Sequence, residues 1–116
     1  MAIERRVWRV LLAGACLGVL TLALLPTERL PNSVFNLWDK AQHAFAFTLL
    51  GGLALRAFPR QAWRALAGLA IFGGLIEVAQ WMTGWRFAEW ADWGADVLGL
   101  ALALVLFHRT GRSTRG

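Results

Sequence analysis

Four long apolar runs separated by short polar breaks dominate the chain: residues 7–25, 41–58, 65–82 and 91–107. Each holds 17–19 residues. A helix that spans a hydrocarbon core needs about 20. Such a core offers no water to unpaired backbone groups, so a spanning segment is a helix or a strand of a closed barrel. Four runs in 116 residues cannot close a barrel. The expected fold class is therefore all-α: an integral membrane bundle of four transmembrane helices in one domain, residues 1–116, ending in a basic tail at 108–116. Pro26, Pro31 and Pro59 all fall in the breaks, where they cost no helix bond. The first run follows Arg5 and Arg6 and has Arg9 in its first turn, as a secretion signal would. It is longer than a usual signal core and no small-x-small cleavage site follows, so it is read as a retained anchor.

Charge fixes the expected orientation. Charged residues make up only 16% of the chain, against 58% hydrophobic. With four spans, the N-terminus, the connection around Arg56, Arg60 and Arg64, and the tail with Arg109, Arg112 and Arg115 share one side. That side carries nine of the twelve Lys and Arg. Arg29, Lys40 and Arg86 lie on the other. Basic residues collect on the cytoplasmic side, so both termini are expected there. The net charge of +5 is then a matter of topology and of contact with anionic lipid headgroups. No zinc spacing, phosphate loop or RNA-binding motif is present, and no nucleic-acid partner is expected. Cys16 is the only cysteine, which excludes an intramolecular disulfide.

The acids are distributed otherwise. Of seven, only Glu4 is on the cytoplasmic side; Glu28, Asp39, Glu77, Glu89, Asp92 and Asp96 belong to the outer half. Glu77 stands five residues before Met82, about 7–8 Å inward. Asp96 stands five residues after Ala91, and His43 four after Asp39, so three helices place His43, Glu77 and Asp96 in one layer. Asp39 and His43, Glu77 and Gln80, and Asp92 and Asp96 stand three or four apart, each pair on one helix face. A charge facing lipid costs roughly 2.5–3.5 kcal/mol, so these stripes should face one another, with Lys40 and Arg86 as basic partners. The bland readings are an N-terminal turn capped by Asp39, a register-fixing ion pair at Glu77, and acids at the positive end of a helix dipole. Convergence of the whole set favours a binding pocket. Its residues are Asp39, Lys40, His43, Glu77, Gln80, Arg86, Asp92 and Asp96. His43, Glu77 and Asp96 are the candidates for catalysis.

One histidine with carboxylates would suit a hard or borderline cation, but no two of these residues stand at a metal-specific spacing, so neither metal nor cofactor is expected. The inner half of each run lacks ionisable residues, apart from Arg9 and Arg56 near the cytoplasmic ends, which argues against a through-channel. Trp38, Trp81, Trp85, Trp90 and Trp93 crowd the outer side, where they form an aromatic belt or line a groove for an isoprenoid or sugar-bearing lipid. Gly14 and Gly18 form a GxxxG on the first run, a face that lets another helix approach closely, and Ala91, Ala95, Gly99 and Ala103 recur every four residues on the last.

The order Asp39-Lys40, His43, Phe47, then Glu77 and Gln80, then Arg86, then Asp92, Asp96 and Gly99 resembles the VanZ-like family of small bacterial membrane proteins. The likeness covers residues 38–103. In that family the pattern reads Asp-Lys-x-x-His opening one helix, Glu-x-x-Gln closing another, Arg in the loop, and Asp-x-x-x-Asn-x-x-Gly opening the last. Here Asp96 stands where Asn is usual and Ala103 where a second Gly is common. The family takes its name from a protein linked to teicoplanin, that is glycopeptide, resistance. The resemblance implies a multi-pass protein of the bacterial inner membrane acting on the cell envelope, without specifying a reaction. Three functions are expected to compete. The first is binding of an isoprenoid-linked or phosphorylated envelope lipid, with Arg86 and Lys40 on the phosphate. The second is an enzyme on such a lipid, with His43 as acid or base. The third is an accessory subunit of a membrane complex, or a homo-oligomer, docked through Gly14 and Gly18.

Overall fold

The structure, a computed structural model, describes the backbone of residues 2–24, 32–84 and 90–108 and the side chains of 4–24, 40–84 and 90–107. Within these residues the chain is helical: α1 is Ala2–Leu24, α2 Asn32–Ala57, α3 Ala62–Thr83 and α4 Trp90–Ala103, which continues as a π-helical turn over Leu104–His108. The four apolar runs are four helices, but their limits differ. α2 starts nine residues before its apolar run, at Asn32 rather than 41, because helix continues beyond the stretch that hydrocarbon demands. α1 likewise starts before its run and includes Arg5 and Arg6. Leu25 lies outside the described residues. α3 closes on Gly84, whose φ of 78° is the left-handed conformation in which a side chain would be strained.

Direction follows from contacts. Arg56 of α2 stacks on Trp8 of α1 at 4.9 Å, and Arg9 donates from Nε to the Ala57 carbonyl at 3.1 Å, so α1 and α2 are antiparallel. The far ends of α1 and α3 meet where Gln80 Nε2 donates to the Ala23 carbonyl at 2.9 Å. α2 and α4 run parallel, with Ala44 against Gly99, Gly51 against Ala103 and Gly52 against Phe107. α2 packs against all three other helices, and most extensively against α4.

That position explains its composition. α1, α3 and α4 with its π-helical end are each long and apolar enough to cross a membrane. α2 has the length but carries more polar residues. A helix enclosed by neighbours accommodates polar groups that lipid would reject. The core beside it holds Phe47, Leu50, Ala54, Leu66, Leu69, Ile76 and Leu100.

Burial follows the helical period. On α3 the buried residues are Leu66, Leu69, Gly73, Ile76, Glu77 and Gln80; on α4 they are Asp92, Asp96, Gly99, Leu100 and Ala103. Each set is one inward stripe. The acids lie on those stripes, while Ile71, Leu75, Met82, Leu98 and Leu102 point outward. Charged groups inside and large apolar groups outside is the reverse of a soluble domain. This arrangement agrees with three helices fit to span a membrane and marks a membrane protein.

Candidate functional site

The polar layer lies at the end of the bundle where α1 and α3 finish and α2 and α4 begin. Three helices supply it: His43 from α2, Glu77 and Gln80 from α3, Asp92 and Asp96 from α4. All five are buried, and Gln80 and Asp96 have no exposed surface. The helices come together here because small residues let them. A Cβ on Gly99 would collide with the Ala44 carbonyl oxygen, and one on Gly73 would stand 2.7 Å from Asp96 Oδ2. Gly99 thus brings α4 onto α2, and Gly73 gives the Asp96 carboxylate its space against α3. Phe47 closes the layer on its inner side, 3.3 Å from the same Gly73 position and packed on Phe72 with ring centroids 6.2 Å apart.

Two pairs join α2 to α4. His43 Nδ1 and Asp96 Oδ1 are 2.6 Å apart, a hydrogen bond in which Nδ1 donates when the carboxylate is ionised. One turn outward, the Lys40 ammonium lies 3.6 Å from Asp92 Oδ1. The Asp92 side chain is enclosed while that of Lys40 remains 34% exposed, so the outer pair reaches the rim and the inner pair does not. The two pairs repeat the i,i+3 and i,i+4 spacings of their helices, which makes the α2–α4 contact a two-rung polar ladder over the Gly99 seam. Glu77 approaches the inner rung from α3: donor atoms of His43, Glu77 and Asp96 all lie within 4.8 Å of one another. Gln80 continues the stripe and ties it to α1, while its Oε1 is buried with no hydrogen-bond partner among the described residues.

The structure therefore brings together Lys40, His43, Glu77, Gln80, Asp92 and Asp96. The Asp39 side chain and Arg86 lie outside the described residues, as do Trp38 and Trp85. The layer is closed rather than an open cup, with Lys40 its exposed edge. Sequence spacing did not indicate the Ala23 carbonyl as partner of Gln80, or Gly73 as neighbour of Asp96. The only hint of the latter was a glycine pair, Gly73-Gly74, one turn before Glu77.

A second feature lies on the outer side of α3 and α4. Ala70, Ile71, Gly74, Trp90 and Trp93 line an open apolar groove of about 270 Å³. The Trp93 indole donates from Nε1 to the Ala70 carbonyl at 2.9 Å, across Gly74, where an added Cβ would sit 3.6 Å from that nitrogen. The hydrogen bond fixes the ring as a wall of the groove. Of the tryptophans considered for a lipid groove, Trp90 and Trp93 line it, whereas Trp81 points outward elsewhere on α3. Asp92 and Trp93 are neighbours on α4, so one turn of helix serves the buried layer on its inner face and the groove on its outer face.

Compared with known proteins, the chain matches no protein-family model, no curated protein and no solved structure.

Proposed function

We propose that this is a VanZ-like, four-pass protein of the bacterial inner membrane, with both termini cytoplasmic, that binds a phosphorylated envelope lipid in its outer half. The chain of the lipid lies in the α3–α4 groove against Trp90 and Trp93. The phosphate meets the basic rim at Lys40, with Arg86 completing it from the connection between α3 and α4. The observation that carries this reading is the groove with a hydrogen-bonded indole for a wall, built on the same turn of α4 that anchors Lys40. A lipid chain gains dispersion contacts against a rigid aromatic wall without ordering it first. The ammonium supplies a charge-assisted bond to phosphate. The buried rungs then act as the frame that holds α4 in register, and His43 is a frame residue rather than an acid or base at the surface.

An accessory-subunit reading draws on α1. Among the described residues Gly14 and Gly18 have no neighbour within 4 Å of their Cβ positions, which leaves this GxxxG face to a helix of another protein. Native mass spectrometry of the gently solubilised protein separates the two, with wild type beside Trp93→Leu and Lys40→Ala. One equivalent of a phosphorylated lipid on wild type, lost from both variants, is the expected result. Equal retention by all three proteins rejects lipid binding at this groove. A protein partner at fixed stoichiometry, lost on Gly14→Leu, establishes the accessory-subunit reading instead.

A further inference from the structure

We propose that His43, Glu77 and Asp96 bind one divalent first-row transition-metal cation at the inner rung of the polar layer. The inference stands apart from lipid binding and needs nothing from the α3–α4 groove. Three observations carry it. The donor atoms of these residues lie within 4.8 Å of one another, and all three side chains are buried. A shell with metal–ligand bonds of about 2.0–2.2 Å has neighbouring ligands about 2.8–3.6 Å apart, so shifts of no more than about 2 Å close the set. Next, the space at Asp96 is built in: a Cβ on Gly73 would stand 2.7 Å from Oδ2, so glycine at that position admits the carboxylate into the gap between α3 and α4. Finally, Gln80 Oε1, one turn from Glu77 on the same inward stripe, is a fully buried oxygen with no hydrogen-bond partner among the described residues. A buried amide oxygen in that state suits a further ligand or an acceptor for a metal-bound water.

The donor set selects the cation. One imidazole nitrogen with two carboxylates suits Zn²⁺, Mn²⁺ or Fe²⁺, whereas Ca²⁺ and Mg²⁺ favour shells of oxygen alone. Charge agrees with this choice. A neutral imidazole, two carboxylates and a divalent ion sum to zero, the state a low-dielectric interior tolerates best. From the imidazolium–carboxylate state of the pair, binding replaces the proton that His43 Nδ1 shares with Asp96 Oδ1, and the ring keeps its Nε2 proton and becomes neutral. That proton leaves to solvent, and the 2.6 Å contact opens to the spacing of two ligands in one shell. The ligands come one from each of α2, α3 and α4, so the ion is a staple across the three helices that meet at this end. Spacing within a helix cannot signal a site assembled in this way, since no two ligands share a helix.

The test uses the full chain without an affinity tag, stripped with chelator in mild detergent and dialysed against Zn²⁺, Mn²⁺, Mg²⁺ or Ca²⁺. Bound metal is counted by elemental analysis and thermal unfolding is followed in parallel. Wild type is expected to keep about one equivalent of Zn²⁺ or Mn²⁺ and to unfold at higher temperature with it, since the ion binds only the folded state. H43Q, E77Q and D96N are each expected to lose at least about 10-fold in affinity, the loss that even an outer-shell change brings. E4Q, at the opposite end of the bundle, is expected to bind as wild type. No retained ion on wild type, or equal retention by H43Q and wild type, overturns the proposal. Should the three variants fail to fold, X-ray absorption of metal-loaded wild type decides. One nitrogen and several oxygens at about 2.0–2.2 Å support the site. A sulfur ligand or a shell of water alone rejects it.

Discussion

Gly99→Ala places a methyl group at the tightest point of the bundle. Its Cβ would meet the Ala44 carbonyl oxygen in overlap, with Ala44 C at 3.2 Å and Thr48 N at 3.1 Å. All three are backbone atoms of α2, so no side chain can rotate aside and the two helices must part. Overpacking of a closed core costs about 1–3 kcal/mol. Parting also loosens the inner rung, because His43 adjoins Ala44 and Asp96 stands one turn before Gly99. That hydrogen bond, at 2.6 Å and to a charged group, contributes about 1.5–3 kcal/mol. Alanine's better helix propensity returns up to about 1 kcal/mol. The expected net loss is about 1.5–6 kcal/mol, a large share of the stability of any small protein. Gly18→Ala is the control, since no described residue lies within 4 Å of its Cβ position, and it should change stability by no more than about 0.5 kcal/mol. Unfolding in mixed detergent micelles, followed by tryptophan fluorescence and circular dichroism, measures both. Equal stability of Gly99→Ala and wild type, or equal damage from the two alanines, would refute the close α2–α4 contact.

Further consequences concern the ties between helices. Arg9→Ala removes both the bond to the Ala57 carbonyl and the stacking on Phe58, whose ring centroid is 4.5 Å from the guanidinium; a loss of about 1–2 kcal/mol is expected, and the same unfolding titration reads it. Trp93→Phe keeps the groove wall but loses the bond to Ala70, and should cost about 0.5–1.5 kcal/mol while increasing ring mobility in NMR relaxation. Gln80→Leu breaks the tie to Ala23 but also removes a buried unpartnered oxygen, so its net cost should stay below about 1 kcal/mol.

Much of the architecture was legible because hydrocarbon length and breaks set it. The number and type of helices followed from four apolar runs, and the common layer of His43, Glu77 and Asp96 followed from the helical rise. Starting points were not legible: helix propensity, unlike hydropathy, does not stop at Lys40, and α2 begins at Asn32. The choice of partners was also hidden. Depth placed Glu77 and Asp96 equally near His43, but only the glycine seam decides that α4 slides close enough to α2 for Asp96 to make the 2.6 Å bond. Small residues at four-residue spacing marked both α1 and α4, yet Gly99 is buried against α2 while Gly14 and Gly18 meet no other described residue. Spacing identifies a face that permits close approach, and only the packing of the other helices decides which such face is used.

The acid at position 96 separates two roles of the polar layer. If the layer served only to fill space, Asp96→Leu would be tolerated, since replacing a buried ionic group by an apolar one of similar volume is often neutral. The surroundings of Asp96 oppose that outcome. One carboxylate oxygen bonds His43 and the other occupies the space that Gly73, lacking a Cβ, leaves against α3. Asp96→Leu is thus expected to lose the charged hydrogen bond and to overpack the α3–α4 contact, for about 3–5 kcal/mol in all. Asp96→Asn keeps the shape and an acceptor for His43 Nδ1, so it loses only the difference between a charged and a neutral hydrogen bond, about 1 kcal/mol. Unfolding of the two variants side by side in one detergent mixture, with metal absent, measures the gap. A leucine variant at least as stable as the asparagine variant would show that the His43–Asp96 rung is dispensable for packing, and the reason for an acid at this depth would then have to be sought in binding alone.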